Sequence, residues 1–239
     1  MKQFTDVFKK KKSIIGVLHL KGNTTGDIRE RAKREADMYL NGGLDGIIAE
    51  DYFNSYTHLE WVLSYLSDLK PGVPIGVNCL NFDSLCFELA RDHCCDFLQL
   101  DSVIGHVKPR DEDSMCTMLD MERSRTEALL LGGVRFKYQP VLSEKTLEED
   151  LEEAKNRCDA VCVTGDGTGM QTPMEKLQDF RNIIGDFPLV ICSGLNEDNC
   201  AKQMQIADAA IVGSFFKDTG RDTGEVDPAR IKRLLARLR

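Results

Sequence analysis

Eight short apolar runs recur along the chain, and each is followed by an amphipathic or polar stretch. This is the signature of parallel strand–helix units. A strand covered by helices on its outer face and packed inside a sheet is apolar throughout, whereas each covering helix keeps one wet face. The first strand is read at 13–20, with a helix over 25–40 closed by Asn41, Gly42 and Gly43. The second is read at 44–50, with a helix near 57–69. Lys70, Pro71 and Gly72 break the chain before the third, at 74–80, whose helix opens on Asp83 as its N-cap. The fourth strand is read at 96–101 and the fifth at 134–140. Between them lie a long helix and a polar loop, 105–114, expected to fold over the strand ends as a lid.

The sixth strand, 159–165, leads to a helix from Pro173. The seventh, 188–194, leads directly to a helix from Asn196. After the eighth, at 208–214, the last helix opens at Asp227 and Pro228, an N-cap followed by proline at the first helical position. Eight units in 239 residues predict a single (β/α)8 TIM barrel over 1–239, with 1–12 as a short lead-in. An open doubly wound sheet is the alternative, and it more commonly has fewer strands.

Composition excludes several classes of function. An apolar share of 42% and a charged share of 29% are those of a soluble globular chain. A net charge of −8 argues against a nucleic-acid or anionic-membrane surface. The basic run Lys9 to Lys12 reads as a solvated turn rather than a targeting signal. No apolar run approaches the ~20 residues that span a bilayer, and the N-terminus lacks the apolar segment of a secretory signal. The nine cysteines are odd in number and form no CxxC pair, which fits reduced core thiols and a cytoplasmic location. For adjacent Cys94 and Cys95, packing is favoured over a redox role.

Active sites of such barrels lie at the C-terminal strand ends, and side chains alternate along each strand. Ile15, Val17 and His19 share a parity, as do Gly46, Ile48 and Glu50. Gln99 and Asp101 alternate with Leu98 and Leu100, and Arg135, Lys137 and Gln139 alternate with Val134, Phe136 and Tyr138. The apolar parity packs on the helices, so the polar parity is expected inside. Interior charge is costly unless paired, so Arg135 is expected to meet Gln99 or Asp101.

His19, Glu50 and Lys137 are the candidate catalytic residues. Asn78, Gln99, Asp101, Thr164 and Asp166 are candidate substrate contacts. Structural alternatives stand beside them: a hydrogen-bonded core histidine for His19, a strand-end tie for Asn78, an internal ion pair with Glu50 or Asp101 for Lys137. His19, Glu50 and Asp101 have permissible metal-ligand types but no HxH or HExxH spacing, so neither metal nor cofactor is expected.

Residues 164–169, TGDGTG, match neither GxGxxG nor a Walker A loop. Ser193 and Gly194 end the seventh strand, and Gly213 and Ser214 end the eighth. Small residues at these two exits are where such barrels bring backbone N–H groups to a phosphate. The alternative is a pair of tight turns that require glycine. The polar segment 217–225 is read as able to move over this site.

The ordered set IIGVLHL (14–20), GGLDGIIAED (42–51), PIGVNCL (74–80), DAVCVTGDGTG (159–169), PLVICSGLNEDN (188–199), ADAAIVGSFFKDTG (207–220) and VDPARIKRLL (226–235) resembles the BtpA/SgcQ family over nearly the whole chain. The resemblance implies a barrel of the ribulose-phosphate-binding type. The family's names point to photosystem I biogenesis and to sugar utilisation.

Three features depart from the family pattern. Leu20 leads to Lys21, Gly22 and Asn23 rather than a PLPG-like turn; Tyr138 follows Lys137 where the family carries histidine; and the chain is shorter between the first two strands. The first expectation is an isomerase- or lyase-type enzyme acting on a small phosphorylated metabolite such as a sugar phosphate. The others are a non-catalytic assembly factor docking through Phe215 and Phe216, and a nucleoside-processing hydrolase. A homo-oligomer is compatible with each.

Overall fold

The apolar runs form eight strands: β1 (Ser13–Leu18), β2 (Gly46–Glu50), β3 (Ile75–Asn78), β4 (Phe97–Leu100), β5 (Leu129–Gly133), β6 (Ala160–Val163), β7 (Leu189–Ile191) and β8 (Ala209–Val212). All pair in parallel and in chain order, and β8 closes on β1. The computed structural model describes residues 2–80, 82–104, 111–142 and 144–239. Around the strands lie α2 (Thr25–Asn41), α3 (Tyr56–Leu69), α4 (Asp83–Asp92), α5 (Glu112–Arg123), α6 (Leu147–Arg157), α7 (Met174–Ile184), α8 (Cys200–Ile206) and α9 (Pro228–Leu238). One helix follows each strand, so the architecture is the (β/α)8 barrel. Among the described residues no helix is long and apolar enough to cross a membrane.

Two apolar layers hold it together. The outer one joins Ile14, Leu18, Ile47 and Val161 to the helices; the inner one stacks Ile15, Val17, Ile48, Phe97, Leu131 and Ile211 inside the sheet. Phe97 fills the barrel because its neighbour is Gly76, where a Cβ would lie 2.2 Å from the ring. The lead-in is part of this core. The short helix α1 (Phe4–Val7) and Phe8 close the barrel's N-terminal end, with the Phe8 and Phe97 rings 5.2 Å apart. Two of the four lysines after it are tied down: Lys10 pairs with Asp45 at 2.8 Å and Lys12 donates to the Ala207 carbonyl at 2.7 Å. With that end plugged, the inner core opens toward the C-terminal strand ends.

Several boundaries differ from the sequence reading. The fifth strand is Leu129–Gly133, and residues 134–140 form the loop after it, with Arg135 and Tyr138 at φ 45° and 61°. A strand buried on both faces does not alternate, so the apolar run 129–131 is the strand and the alternating stretch is not. Arg135 therefore does not meet Gln99 or Asp101. It points outward, donating to Asp150 and to the Lys145 carbonyl, both at 2.9 Å. Asp83 lies inside the first turn of α4, after Phe82. The helix after β7 begins at Cys200, with Asn196 folding the preceding turn by accepting from the Asp198 and Asn199 amides. Of the expected lid, 105–110 lie outside the described residues and Glu112 already begins α5. All nine cysteines are free; burial pushes the Cys95 thiol up to about 12, while Cys94 is exposed.

Candidate functional site

The strand ends of β2, β3 and β4 carry one polar row. Glu50 pairs in register with Asn78, and Asn78 with Gln99, so the three side chains share the inner face on adjacent strands. Asp101, one step past β4, stands behind this row. Its Oδ1 accepts from Asn78 Nδ2 at 3.1 Å and from Gln99 Nε2 at 3.2 Å, and Asn78 Oδ1 accepts from the Leu80 amide at 2.8 Å. The amides of Asn78 and Gln99 are thereby oriented, and Asp101 is a positioning group rather than part of the pocket wall.

Glu50 is only 8% exposed, yet among the described residues its carboxyl has no hydrogen-bond or ion-pair partner. Burial is the main reason its pKa rises to about 7; Lys137 opposes the shift, and Asp101 and Asp51 add to it. Lys137 reaches the same pocket from the loop after β5, its backbone fixed by donation to Thr164 Oγ1 at 2.7 Å. Thr164 is itself fully buried and serves that loop, and Asp166 is exposed outside the pocket.

His19 follows β1 and is 6% exposed, packed 5.2 Å from the Tyr52 ring and edge-on to Phe53. Burial, then the positive charges of Lys217 and Lys137, lower its pKa to about 3. The ring is therefore a neutral imidazole, and its Nδ1 has no hydrogen-bond partner. Lys217 is fully buried on Glu35 at 2.7 Å, and Arg31 joins Glu35 at 2.9 Å and Glu225 at 2.8 Å. The two ends of the segment 217–225 are thus tied to α2, with a bridge between Lys217 and Val226 at its base.

Opposite the polar row are the exits of β7 and β8. The backbone N–H groups of Gly194 and Leu195, and of Ser214 and Phe215, donate to no acceptor among the described residues, and all four residues border the pocket. The Ser193 hydroxyl is already occupied, accepting from the Gly165 amide at 2.9 Å and donating to the Met170 carbonyl at 3.1 Å. The glycines have reasons within the protein. A Cβ on Gly194 (φ 69°) would lie 2.2 Å from the Met170 carbonyl oxygen, and one on Gly213 would lie 2.7 Å from the His19 ring. Gly194→Ala is expected to cost at least about 2 kcal/mol in urea unfolding, because the obstructing atom is backbone and the conformation is left-handed. An unchanged midpoint would show that the turn relaxes.

Sequence reasoning missed the rim. Tyr138, 70% exposed, accepts from the Thr168 amide at 2.8 Å, and the Tyr52 hydroxyl lies 3.1 Å from Thr168 Oγ1. Two tyrosines on different loops thus meet at Thr168 beside the pocket. Tyr52 follows the acidic pair Glu50 and Asp51 directly, and that adjacency was the only signal for it. The pocket has a cavity volume of about 130 Å³. Among the described residues, no three His, Cys, Asp or Glu side chains are grouped to hold a metal ion.

The model of the BtpA family matches residues 10–239. The chain belongs to the BtpA family. Among its relatives, the photosystem I biogenesis protein BtpA of Synechocystis is 27% identical, over 91% of this chain and 85% of that protein. Protein MJ1115 of Methanocaldococcus jannaschii is 24% identical over 95% of both. Among solved structures, phosphoribosylanthranilate isomerase from Thermotoga maritima superposes with a TM-score of 0.62 at 15% identity, over 95% of this BtpA-family chain and 97% of its own. At that identity the likeness is one of fold.

Proposed function

We propose that this barrel is an enzyme of isomerase or lyase type acting on a small phosphorylated metabolite such as a sugar phosphate. The observation that carries the reading is the set of four unused backbone N–H groups at Gly194, Leu195, Ser214 and Phe215, on residues that line the same pocket as the buried, unpartnered carboxyl of Glu50. Unused N–H groups in a partly dry cavity are costly to leave bare and favour an anion. The Ser214 hydroxyl stands with them, within 3.2 Å of the Cβ position of Gly169.

In this reading the phosphate sits on the β7 and β8 turns, and the carbon chain extends toward Glu50, Asn78 and Gln99. Glu50, with a pKa of about 7, takes and returns a proton at neutral pH. Lys137 supplies positive charge to an oxyanion formed by that transfer, or a nucleophilic amine. Neutral His19 orients the substrate through Nε2, since its Nδ1 is closed off inside the protein. Phosphoribosylanthranilate isomerase, of the same fold, is by its name an isomerase of a phosphoribosyl compound. For the assembly-factor reading, Phe216 is fully buried and Phe215 is half-buried, with the Arg230 guanidinium carbon 5.6 Å from its ring centroid.

Titration calorimetry tests the proposal. Inorganic phosphate and ribose 5-phosphate are expected to bind the wild-type protein, and Ser214→Asp, which brings a carboxylate to the turn, is expected to weaken both at least about tenfold. Binding of neither compound would overturn the reading, as would equal binding to Ser214→Asp.

A further inference from the structure

The two ends of the pocket differ in charge, and this limits what a phosphorylated substrate can carry at its other end. On the β7–β8 side no acidic side chain lines the cavity: the residues there carry the four unused backbone N–H groups, the Ser193 and Ser214 hydroxyls, the Asn196 amide and the Cys192 thiol, beside apolar Ile211. On the β2–β4 side the ordering is the reverse. Asn78 Oδ1 is taken by the Leu80 amide, and Asn78 Nδ2 and Gln99 Nε2 each spend one donor on Asp101 Oδ1. Left open to a ligand are Gln99 Oε1 and both oxygens of Glu50, together with the remaining amide hydrogens. Three carboxyl groups, Glu50 at the wall, Asp101 directly behind it and Asp51 next in the chain, stand there against one ammonium, that of Lys137.

Resting on the phosphate reading above, we infer that this site selects a monophosphate whose far end is neutral and hydroxyl-bearing, and rejects one whose far end carries a carboxylate or a second phosphate. A hydroxyl can donate to Glu50 or Gln99 Oε1 and accept from the spare amide hydrogen of Asn78 or Gln99. A carboxylate can only accept. It would be pressed against the Glu50–Asp101 pair with the Lys137 ammonium as its single counter-charge, in a cavity where like charges repel strongly. Asp101 is therefore a specificity group that never touches the ligand: it fixes which amide atoms face the pocket and adds its charge to the wall.

A matched pair of ligands tests this. Ribitol 5-phosphate and 5-phosphoribonate share one five-carbon chain and one phosphate, and differ at the far carbon as hydroxymethyl against carboxylate. Calorimetry at pH 8, where Glu50 is mostly ionised, is expected to give at least about tenfold tighter binding of ribitol 5-phosphate. Glu50→Gln is expected to shrink that ratio by about threefold or more, through the 5-phosphoribonate affinity, and Asp101→Asn is expected to do the same. The pair of variants keeps the test valid should one of them fold poorly. Inorganic phosphate is the control. If it binds and 5-phosphoribonate binds as tightly as ribitol 5-phosphate, the charge filter is overturned and the phosphate site stands. If phosphate itself does not bind, the phosphate reading fails and the filter with it. A ratio that neither variant changes would assign the selection to other groups and overturn the role given to Glu50 and Asp101.

Discussion

The imidazole of His19 is expected to stay neutral from about pH 8 down to about pH 4, and to make the folded protein sensitive to acid. Its pKa is about 3 in the fold against 6.5 for a free histidine, because burial and the ammonium groups of Lys217 and Lys137 oppose a further positive charge. A lowered pKa means that the unfolded chain binds the proton more tightly. The stabilising contribution is complete above pH 6.5 and is lost as pH falls toward 3, a total of about 5 kcal/mol. Ring-proton shifts in NMR, assigned by comparison with His19→Gln, give the direct reading, and urea midpoints against pH give the energy. Below pH 4.5, where the Glu50 contribution no longer changes, the slope should be shallower in His19→Gln than in wild type. A His19 resonance that titrates near 6.5 would contradict the account.

Glu50→Gln is expected to stabilise the protein at alkaline pH. Here the folded pKa is raised, from 4.5 to about 7, so the native state holds its proton more tightly than the unfolded chain does. Stability from this group is full below pH 4.5 and falls as pH rises through about 7, by about 3 kcal/mol. Glutamine resembles the protonated acid and avoids burying a charge. The variant should therefore gain about 3 kcal/mol over wild type at pH 8 and little at pH 4.5, read from urea unfolding at both. No gain at pH 8 would mean that the carboxylate is well solvated or paired. Because Glu50 and His19 act in opposite directions between pH 4.5 and 6.5, wild type should have a flatter profile there than either variant. A carboxyl kept at such a cost in stability is the mark of a functional group.

The barrel was legible in the sequence because its periodicity is global: eight apolar runs at regular spacing leave few other ways to bury the chain. The fifth strand was misplaced for a local reason. Leu129, Leu130 and Leu131 fall in the stretch assigned to the long helix and loop between the fourth and fifth strands, while 134–139 alternate by chance of loop composition, and only the pairing of Leu130 and Leu131 with neighbouring strands separates the two. Lys137 reached the predicted pocket even so, because the loop after a strand and the end of that strand open on the same face. Arg135 did not, since its left-handed backbone turns the side chain out to Asp150. Glu50 and Gln99 followed from parity, and Asn78 from its place at the end of the third strand. Parity could not tell that Asp101 would stand behind the wall, that Ser193 would spend its hydroxyl on Gly165 and Met170, or that Gly194 and Gly213 are small to admit Met170 and His19. Those depend on contacts between loops far apart in sequence. So does the neutral state of His19, which Lys217 helps to set from the loop after β8.

The most direct test of the central claim is a crystal structure of the wild-type protein grown or soaked in inorganic phosphate. The expected result is one anion within hydrogen-bonding distance of the backbone N–H groups of Gly194, Leu195, Ser214 and Phe215, with the Ser214 hydroxyl turned toward it and Glu50 across the pocket. Phosphate bound only elsewhere, or these N–H groups closed by contacts within the protein, would contradict it.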